Sequence, residues 1–343
     1  MDLSKLLRPN IAQLVPYSSA RSEFTGKASV WLDANENPFN EPFCRYPDPL
    51  QRALKAKIAE IKHVDAESIF LGVGSDECID IMYRVFCRPG IDNVVAIAPT
   101  YGMYEVCANI NDVEYRPVPL GEDFSLDVQA LLAAADENTK VMWICSPNNP
   151  TGNAFPLSQI AEIAEKFEGM LVVDEAYIDF SSQPSALTLH APNIVVMHTL
   201  SKAWGSAAIR LGMAFAEKEI IDVFNKVKYP YNINILTQKF AMERVSNQAE
   251  VAQWVQTLLE NRSWLVDQLQ TIGEVKHIYP TDANFVLVKV GDANALYDFL
   301  RQEGIIVRNR TRVTLCEGCL RITIGTEEEN AQLINAIRRY EAR

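Results

Sequence analysis

Four short segments of this sequence set chemically able residues directly after apolar runs. TLSKAWGSAAIRLG (199–212) places Lys202 beside Ser201 and Thr199, with Arg210 eight residues on. Hydroxyls with a guanidinium suit a phosphate group. A lysine in such company gives up its proton more easily and becomes a nucleophile toward a carbonyl. VVDEAY (172–177) ends an apolar run on Asp174, with Tyr177 three residues later. A carboxylate there is costly without a cationic partner. SPNNPTG (146–152) is a sharp turn that carries Asn149. LGVGSDE (71–77) sets Gly72, Gly74, Ser75 and Asp76 between a strand and a helix, where free N–H groups bind phosphate. Singly, each has an ordinary reading: a turn, a helix cap, a surface lysine, a glycine-rich bend. The glycines lack both the G-x-G-x-x-G spacing of dinucleotide binders and the G-K-[ST] of a P-loop, which disfavours a nicotinamide oxidoreductase.

The elements that must position these residues alternate along the chain. Apolar spacing at 50, 54, 58 and 61 predicts a helix over 49–61. Strands are expected at 68–74, 94–99, 113–118, 141–145, 170–176, 194–200 and 211–216, and helices at 76–86, 101–110 and 157–167. Apolar strands separated by helices imply parallel pairing with helices on both faces. Ligands in such sheets bind beyond the carboxyl ends of the strands, where the four segments lie. After about residue 230 the texture becomes α+β: a long helix over 235–272, strands at 284–290, 305–309 and 320–325, a helix at 296–304 and a terminal helix at 327–342. We expect a large domain over 45–230 and a smaller one built from 1–44 and 231–343, with the first residues as an arm.

Taken together, the four strand ends supply a phosphate cradle, a carboxylate for a ring nitrogen, an Asn and a Tyr for a phenolic oxygen, and an imine-forming lysine. These are the needs of pyridoxal phosphate, which combines an anion, a basic pyridine and an aldehyde. Composition agrees with a globular enzyme. The 343 residues are 48% hydrophobic and 22% charged, near the globular average. That length predicts about two domains. A net charge of −12 disfavours nucleic acid and anionic membranes as partners. No signal peptide or membrane-length apolar run is visible, so a cytoplasmic protein is expected. The seven cysteines, an odd number, read as reduced thiols. The Cys316–Cys319 pair has no second ligand pair, and no metal site is expected.

The set N-P-T-G, D-E-A-Y, S-K and a later Arg resembles the fold-type-I aminotransferases. The closer resemblance is to the histidinol-phosphate aminotransferase family. It rests on LDANENPF (32–39), RYPDP (45–49), GSDE (74–77), PTYGMY (99–104), SPNNPTG, VVDEAY, TLSKAWG and CLRITIGT (319–326), and it covers nearly the whole chain. It implies an α/β fold of the aspartate-aminotransferase type, with a mostly parallel sheet flanked by helices and a smaller α+β domain. It also implies that Lys202 holds pyridoxal phosphate as a Schiff base and then moves the substrate proton. Asp174 would pair with the pyridine nitrogen, and Asn149 and Tyr177 would bond the phenolic oxygen. Tyr101 would stack on the ring, and Ser75, Asp76, Thr199, Ser201 and Arg210 would hold the phosphate. Tyr46 would reach the phosphate of a neighbouring subunit, which implies a homodimer with shared active sites.

For the substrate, the resemblance implies Arg321 at the acidic group, with Arg308 and Tyr17 toward the phosphate of histidinol phosphate. Arg310 and Arg312 read as solvated. Two departures from the family pattern are local. The stretch between NENPF and RYP is short, and Ser206 and Ala207 stand where Leu-Ala is usual, leaving Lys202 and Arg210 in register. The implied reaction converts L-histidinol phosphate and 2-oxoglutarate to imidazole-acetol phosphate and glutamate, in histidine biosynthesis. The alternatives are an aromatic aminotransferase, a threonine-phosphate decarboxylase-like lyase on the same fold, and a non-catalytic pyridoxal-phosphate binding domain.

Overall fold

The computed structural model describes residues 2–24, 26 and 28–343. Three one-turn helices, α1 (Leu3–Leu6), α2 (Pro9–Ala12) and α3 (Ala20–Glu23), lead into α4 (Arg52–Lys62). Then come β1 (Ile69–Val73), α5 (Gly74–Phe86), β2 (Asn93–Ala98), α6 (Met103–Ile110), β3 (Glu114–Pro119), α7 (Val128–Ala133) and β4 (Thr139–Cys145). The run continues through α8 (Leu157–Lys166), β5 (Met170–Asp174), β6 (Ile194–Thr199), β7 (Leu211–Phe215) and α9 (Lys218–Val227). These seven strands form one sheet in the order β1-β7-β6-β5-β4-β2-β3.

Its inner strands are mostly apolar because both faces are covered, whereas the edge strand β3 (EYRPVP) is largely polar and exposed. Alternate residues divide between two cores. Leu71, Val95, Ile97, Ile144 and Val173 pack on one side with Leu54 and Ile58 of α4 and Ile160 and Ile163 of α8. Phe70, Val94, Ala96, Trp143 and Val172 pack on the other with Ile79 and Met82 of α5 and Phe224 of α9. The first residues join that second face: Ile11 packs there, and the Arg8 amide donates to the Val85 carbonyl at 3.0 Å.

One strand departs from the parallel expectation. β7 runs antiparallel to both β6 and β1. The reason is the connection. β6 ends at Thr199 and β7 begins at Leu211, too little chain for a crossover helix, and a parallel pair needs one. The consequence is functional: β1, β2, β4, β5 and β6 all end at one edge of the sheet, and β7 starts there.

The remainder forms α10 (Ile235–Ser246), α11 (Gln248–Gln270), β8 (Val275–Ile278), β9 (Phe285–Val290), α12 (Ala293–Gln302), β10 (Arg308–Asn309), β11 (Cys319–Thr323) and α13 (Glu327–Glu341). The expected helix over 235–272 is two helices, broken at Asn247. The expected strand 305–309 shrinks to two residues, and β8 was not anticipated. β10-β11-β9-β8 make a four-stranded antiparallel sheet. One of its faces packs on α11, α12 and α13 through Leu265, Leu296, Leu333 and Ile337. Phe285 and Leu287 of β9 join the core of the large sheet. Among the described residues no helix is long and apolar enough to cross a membrane.

Candidate active site

The shared edge of the large sheet opens into a cavity of about 470 Å³, lined by Ser75, Asp76, Tyr101, Asn149, Asp174, Tyr177, Thr199, Ser201, Lys202, Arg210, Arg308 and Arg321 among others. That volume suits a small-molecule site. A larger hollow of about 1220 Å³ lies at the opposite edge, against the start of β4, β5 and β6 and with Asp136, Lys140, Lys166 and His190 on its walls. The position at the carboxyl ends of the strands favours the smaller one.

Each group has a structural reason for its place. Asp174 is the last residue of β5 and is fully enclosed. Its carboxylate accepts a bond from the Tyr104 hydroxyl at 2.7 Å and another from the Ala176 amide at 3.1 Å. Burial pushes the Asp174 pKa up, against the pull of those donors and of Lys202. A cation brought to the free side of this carboxylate would relieve that burial cost. Asn149 and Tyr177 face each other, Nδ2 to hydroxyl at 3.5 Å, and both are buried. Burial also raises the Tyr177 pKa, so its hydroxyl stays protonated and can donate.

Lys202 lies in the short β6–β7 connection. The Gly205 amide donates to its carbonyl at 3.0 Å, and its Nζ sits 5.4 Å from the centre of the Tyr177 ring. Its side chain lines the cavity and remains partly open to solvent. Loss of hydration there lowers the pKa below 10.5, Arg321 lowers it further, and Asp174 opposes.

At the other end, α5 begins with Gly74, Ser75 and Asp76, so its first N–H groups and positive dipole face the cavity. Arg210 bridges to Asp76 at 3.2 Å and to the Ser201 hydroxyl at 3.4 Å. It holds a left-handed backbone, φ 53°, unusual for a residue with a side chain and tolerated where a site needs it. Glycine is required at 212: a Cβ there would collide with the Ser75 amide nitrogen that caps the cradle. Tyr101 overhangs the cavity, its hydroxyl 3.2 Å from Asp76. Thr199 ends β6 and accepts the Ser201 amide at 3.1 Å.

The small sheet contributes the arginines. Arg321 on β11 lies opposite Arg308 on β10. Arg321 donates through Nη1 to Asn149 Oδ1 and stacks 5.2 Å from the Phe285 ring centre. Two of the anticipated residues are not brought in. Tyr17 is 74% exposed and Tyr46 50% exposed, and neither lines the cavity. Tyr46 instead stacks on Tyr231, ring centres 4.3 Å apart.

Three findings go beyond the sequence reading. Arg310 is not solvated: it is half-buried and lines the cavity with Arg308, its amide held at the end of β10 by the Cys319 carbonyl of β11 at 2.9 Å. Arg312 is exposed, as read. Tyr104 reads as a core aromatic, and its ring does stack on Trp143, yet its hydroxyl carries the bond to Asp174. Glu175 is clamped by the Ser185 hydroxyl, the Ala186 amide and His198 Nε2, which fixes the turn after Asp174. None of these has a spacing signal, except the i, i+2 relation of Arg308 and Arg310.

The family model for aminotransferase class I and II matches residues 23–337. The histidinol-phosphate aminotransferase of Parabacteroides distasonis is 56% identical over 339 residues, covering 98% of each chain. That of Bacteroides fragilis is 54% identical over 342 residues, 99% of each. Among solved structures, histidinol-phosphate aminotransferase from Sinorhizobium meliloti in complex with pyridoxal-5'-phosphate superposes with a TM-score of 0.79 at 23% identity, over 87% of this chain and 84% of that one. At that identity the likeness speaks for the fold.

Proposed function

Because this chain belongs to the class I and II aminotransferases, we propose that it transfers the amino group of L-histidinol phosphate to 2-oxoglutarate, giving imidazole-acetol phosphate and glutamate. The carrying observation is the meeting of Lys202, Asp174, Asn149, Tyr177 and the α5 amino end in one cavity at the strand ends. The histidinol-phosphate aminotransferases that match it over full length supply the substrate.

The residues fit pyridoxal phosphate. Asp174 is a buried carboxylate whose described partners are only a hydroxyl and an amide, so it has room for a ring N–H. The α5 amino end, Ser201 and Arg210 converge as an anion site, with Ser75, Asp76 and Thr199 shaping it. Asn149 and Tyr177 present an amide and a hydroxyl to a phenolic oxygen, and Tyr101 covers the ring face. When bound, the cofactor supplies an aldehyde that amines attack and a pyridine that draws electron density from the substrate carbon. Lys202 would hold the cofactor covalently, and its free Nζ would be the group that takes the proton from the substrate carbon bearing the amine and gives it back on the product side. Arg321 binds the anionic group next to the reacting carbon, since its fork fits carboxylate and phosphate alike. Arg308 stands beside it toward the outside.

The chain works as a homodimer in this reading. Tyr46 and Tyr17 lie outside their own cavity and are exposed, as are Leu32, Phe39 and Phe43 of the same N-terminal part, and so are available to a second subunit. The division at residues 45 and 230 then separates the cofactor-holding part from the part carrying Arg308 and Arg321. Seven unpaired thiols suit the reducing cytoplasm.

The test is spectroscopy of single half-reactions. Histidinol phosphate and glutamate should each convert the yellow enzyme rapidly, and phenylalanine and threonine phosphate slowly. Release of carbon dioxide from threonine phosphate would instead mark a lyase. Two further results are expected. Arg321→Ala should lower kcat/KM about 100-fold for both amino donor and keto acceptor, since it removes a charge-assisted anion contact; an effect on neither would move the anion site elsewhere. The depressed Lys202 pKa also has a consequence. The neutral amine, the attacking form, is populated above that pKa. Covalent uptake of pyridoxal phosphate by the apoprotein should therefore quicken as pH rises and level off below pH 10.5. A rate still climbing at 10.5 would show that Lys202 is not depressed.

A further inference from the structure

Four arginines line the cavity, and only Arg210 has a carboxylate partner among the described residues. Arg308 and Arg321 are direct cross-strand neighbours, an arrangement that like charges disfavour. Arg310 follows two residues after Arg308 and lines the same cavity. Its amide donates to the Cys319 carbonyl at 2.9 Å, and its carbonyl accepts the Val313 amide at 2.8 Å, so its backbone is fixed to β11. Its Nε is buried without a partner, as is Nε of Arg321. Burial, then the repulsion of Arg321 and Arg308, brings the Arg310 pKa down to about 10. Two half-buried guanidiniums, Arg310 and Arg321, with the exposed Arg308 beside them and no carboxylate partner among the described residues, are more than a single carboxylate needs.

The two amino donors differ at this point. Glutamate carries a carboxylate directly on the reacting carbon. The phosphate ester carries its phosphorus two bonds further out, with about −1.5 to −2 charge rather than −1. Arg321 is the innermost of the three, tied to Asn149 and felt by Lys202. We propose that Arg310 is a specificity-determining residue: it binds the outer, doubly charged phosphate and so makes the cavity favour the phosphate ester over the carboxylate donor. This rests on the substrate reading above and adds Arg310, read from the sequence as solvated, to the phosphate end of the cavity, with discrimination between the two donors as its distinct part.

The experiment compares holoenzyme, Arg310→Gln and Arg310→Lys in half-reactions with L-histidinol phosphate and L-glutamate, and measures inorganic phosphate as an inhibitor of the glutamate half-reaction. Arg310→Gln should raise KM for the phosphate ester about 10–100-fold, with a much smaller fall in kcat, the effect of losing one charge-assisted contact. The ratio of kcat/KM between the two donors should shift at least about tenfold toward glutamate, and inhibition by phosphate should weaken in step. Arg310→Lys should recover part of both, because the charge returns without the fork. Equal losses for both donors, with phosphate inhibition unchanged, would overturn the proposal and leave Arg310 a packing residue. If the unmodified enzyme turns over glutamate but not histidinol phosphate, the substrate reading falls, and the phosphate arm alone decides: weakened inhibition in Arg310→Gln supports the phosphate site, and unchanged inhibition removes it.

Discussion

Lys202→Ala is expected to lower transamination by about 10⁴-fold or more, because it removes both the covalent tether and the group that moves the proton. The substitution is clean in structural terms. The turn around Lys202 is held by main-chain bonds, Gly205 amide to Lys202 carbonyl at 3.0 Å and Ser206 amide to Leu200 carbonyl at 2.9 Å, and these survive in alanine. The anion cradle, Asp174, Asn149 and Tyr177 are untouched. Pyridoxal phosphate should therefore still bind, with the absorbance of a free aldehyde instead of a lysine adduct. Its affinity should fall, since the covalent link is gone. A small exogenous amine added to this variant should restore part of the proton transfer, with larger effects from more basic amines. Turnover at a normal rate in Lys202→Ala would remove the lysine from the chemistry and undo the proposed function.

Much of this arrangement was legible because periodicity reports burial. Strands such as VVAIA and MLVVD are apolar on both faces, so their role as inner strands of a helix-covered sheet shows in the residues alone. The site residues showed because each stands where an apolar run stops. What stayed hidden depends on information that periodicity does not hold. The direction of β7 is set by the length of the 200–210 connection, not by its own apolar residues. The break at Asn247 falls inside a stretch whose helical spacing continues on both sides. The burial of Arg310 depends on its bond to β11 and on its place in the cavity wall, neither of which shows in a turn that looks solvated in isolation. Tyr104 was concealed for the opposite reason: its ring belongs to the core, and only its last atom touches the site. Tyr17 and Tyr46 were marked by the resemblance alone, and both stay exposed and outside the cavity of their own chain.

Asp174→Asn is expected to slow the proton shift about 10³-fold while leaving the fold intact, an effect within the range of a lost acid–base contribution. Asparagine has the same shape. Its Oδ1 can still accept the Ala176 amide, and its Nδ2 can donate to the Tyr104 hydroxyl oxygen. What it lacks is a negative charge and a free acceptor toward the ring nitrogen. Burial matters here in two directions. In the absence of a cation it pushes the Asp174 pKa up, with Tyr104, Ala176 and Lys202 holding it back. With a pyridine nitrogen against it, the same low dielectric strengthens the ion pair, so the ring stays protonated across the working range of pH. The amide cannot do this, and the ring nitrogen loses its proton. Electron density from the substrate carbon then has a poorer acceptor, and the step in which Lys202 removes the proton becomes slow. The loss should fall on the proton-transfer rate in both half-reactions, with the cofactor still attached to Lys202 and its spectrum shifted as for an unprotonated ring. Substitution of the buried Tyr104 by Phe should move the same rate in the same direction by less, because it removes one donor and keeps the charge. Unchanged rates in Asp174→Asn would mean that the ring nitrogen is not held by this carboxylate, and the cavity would have to seat the cofactor in another orientation.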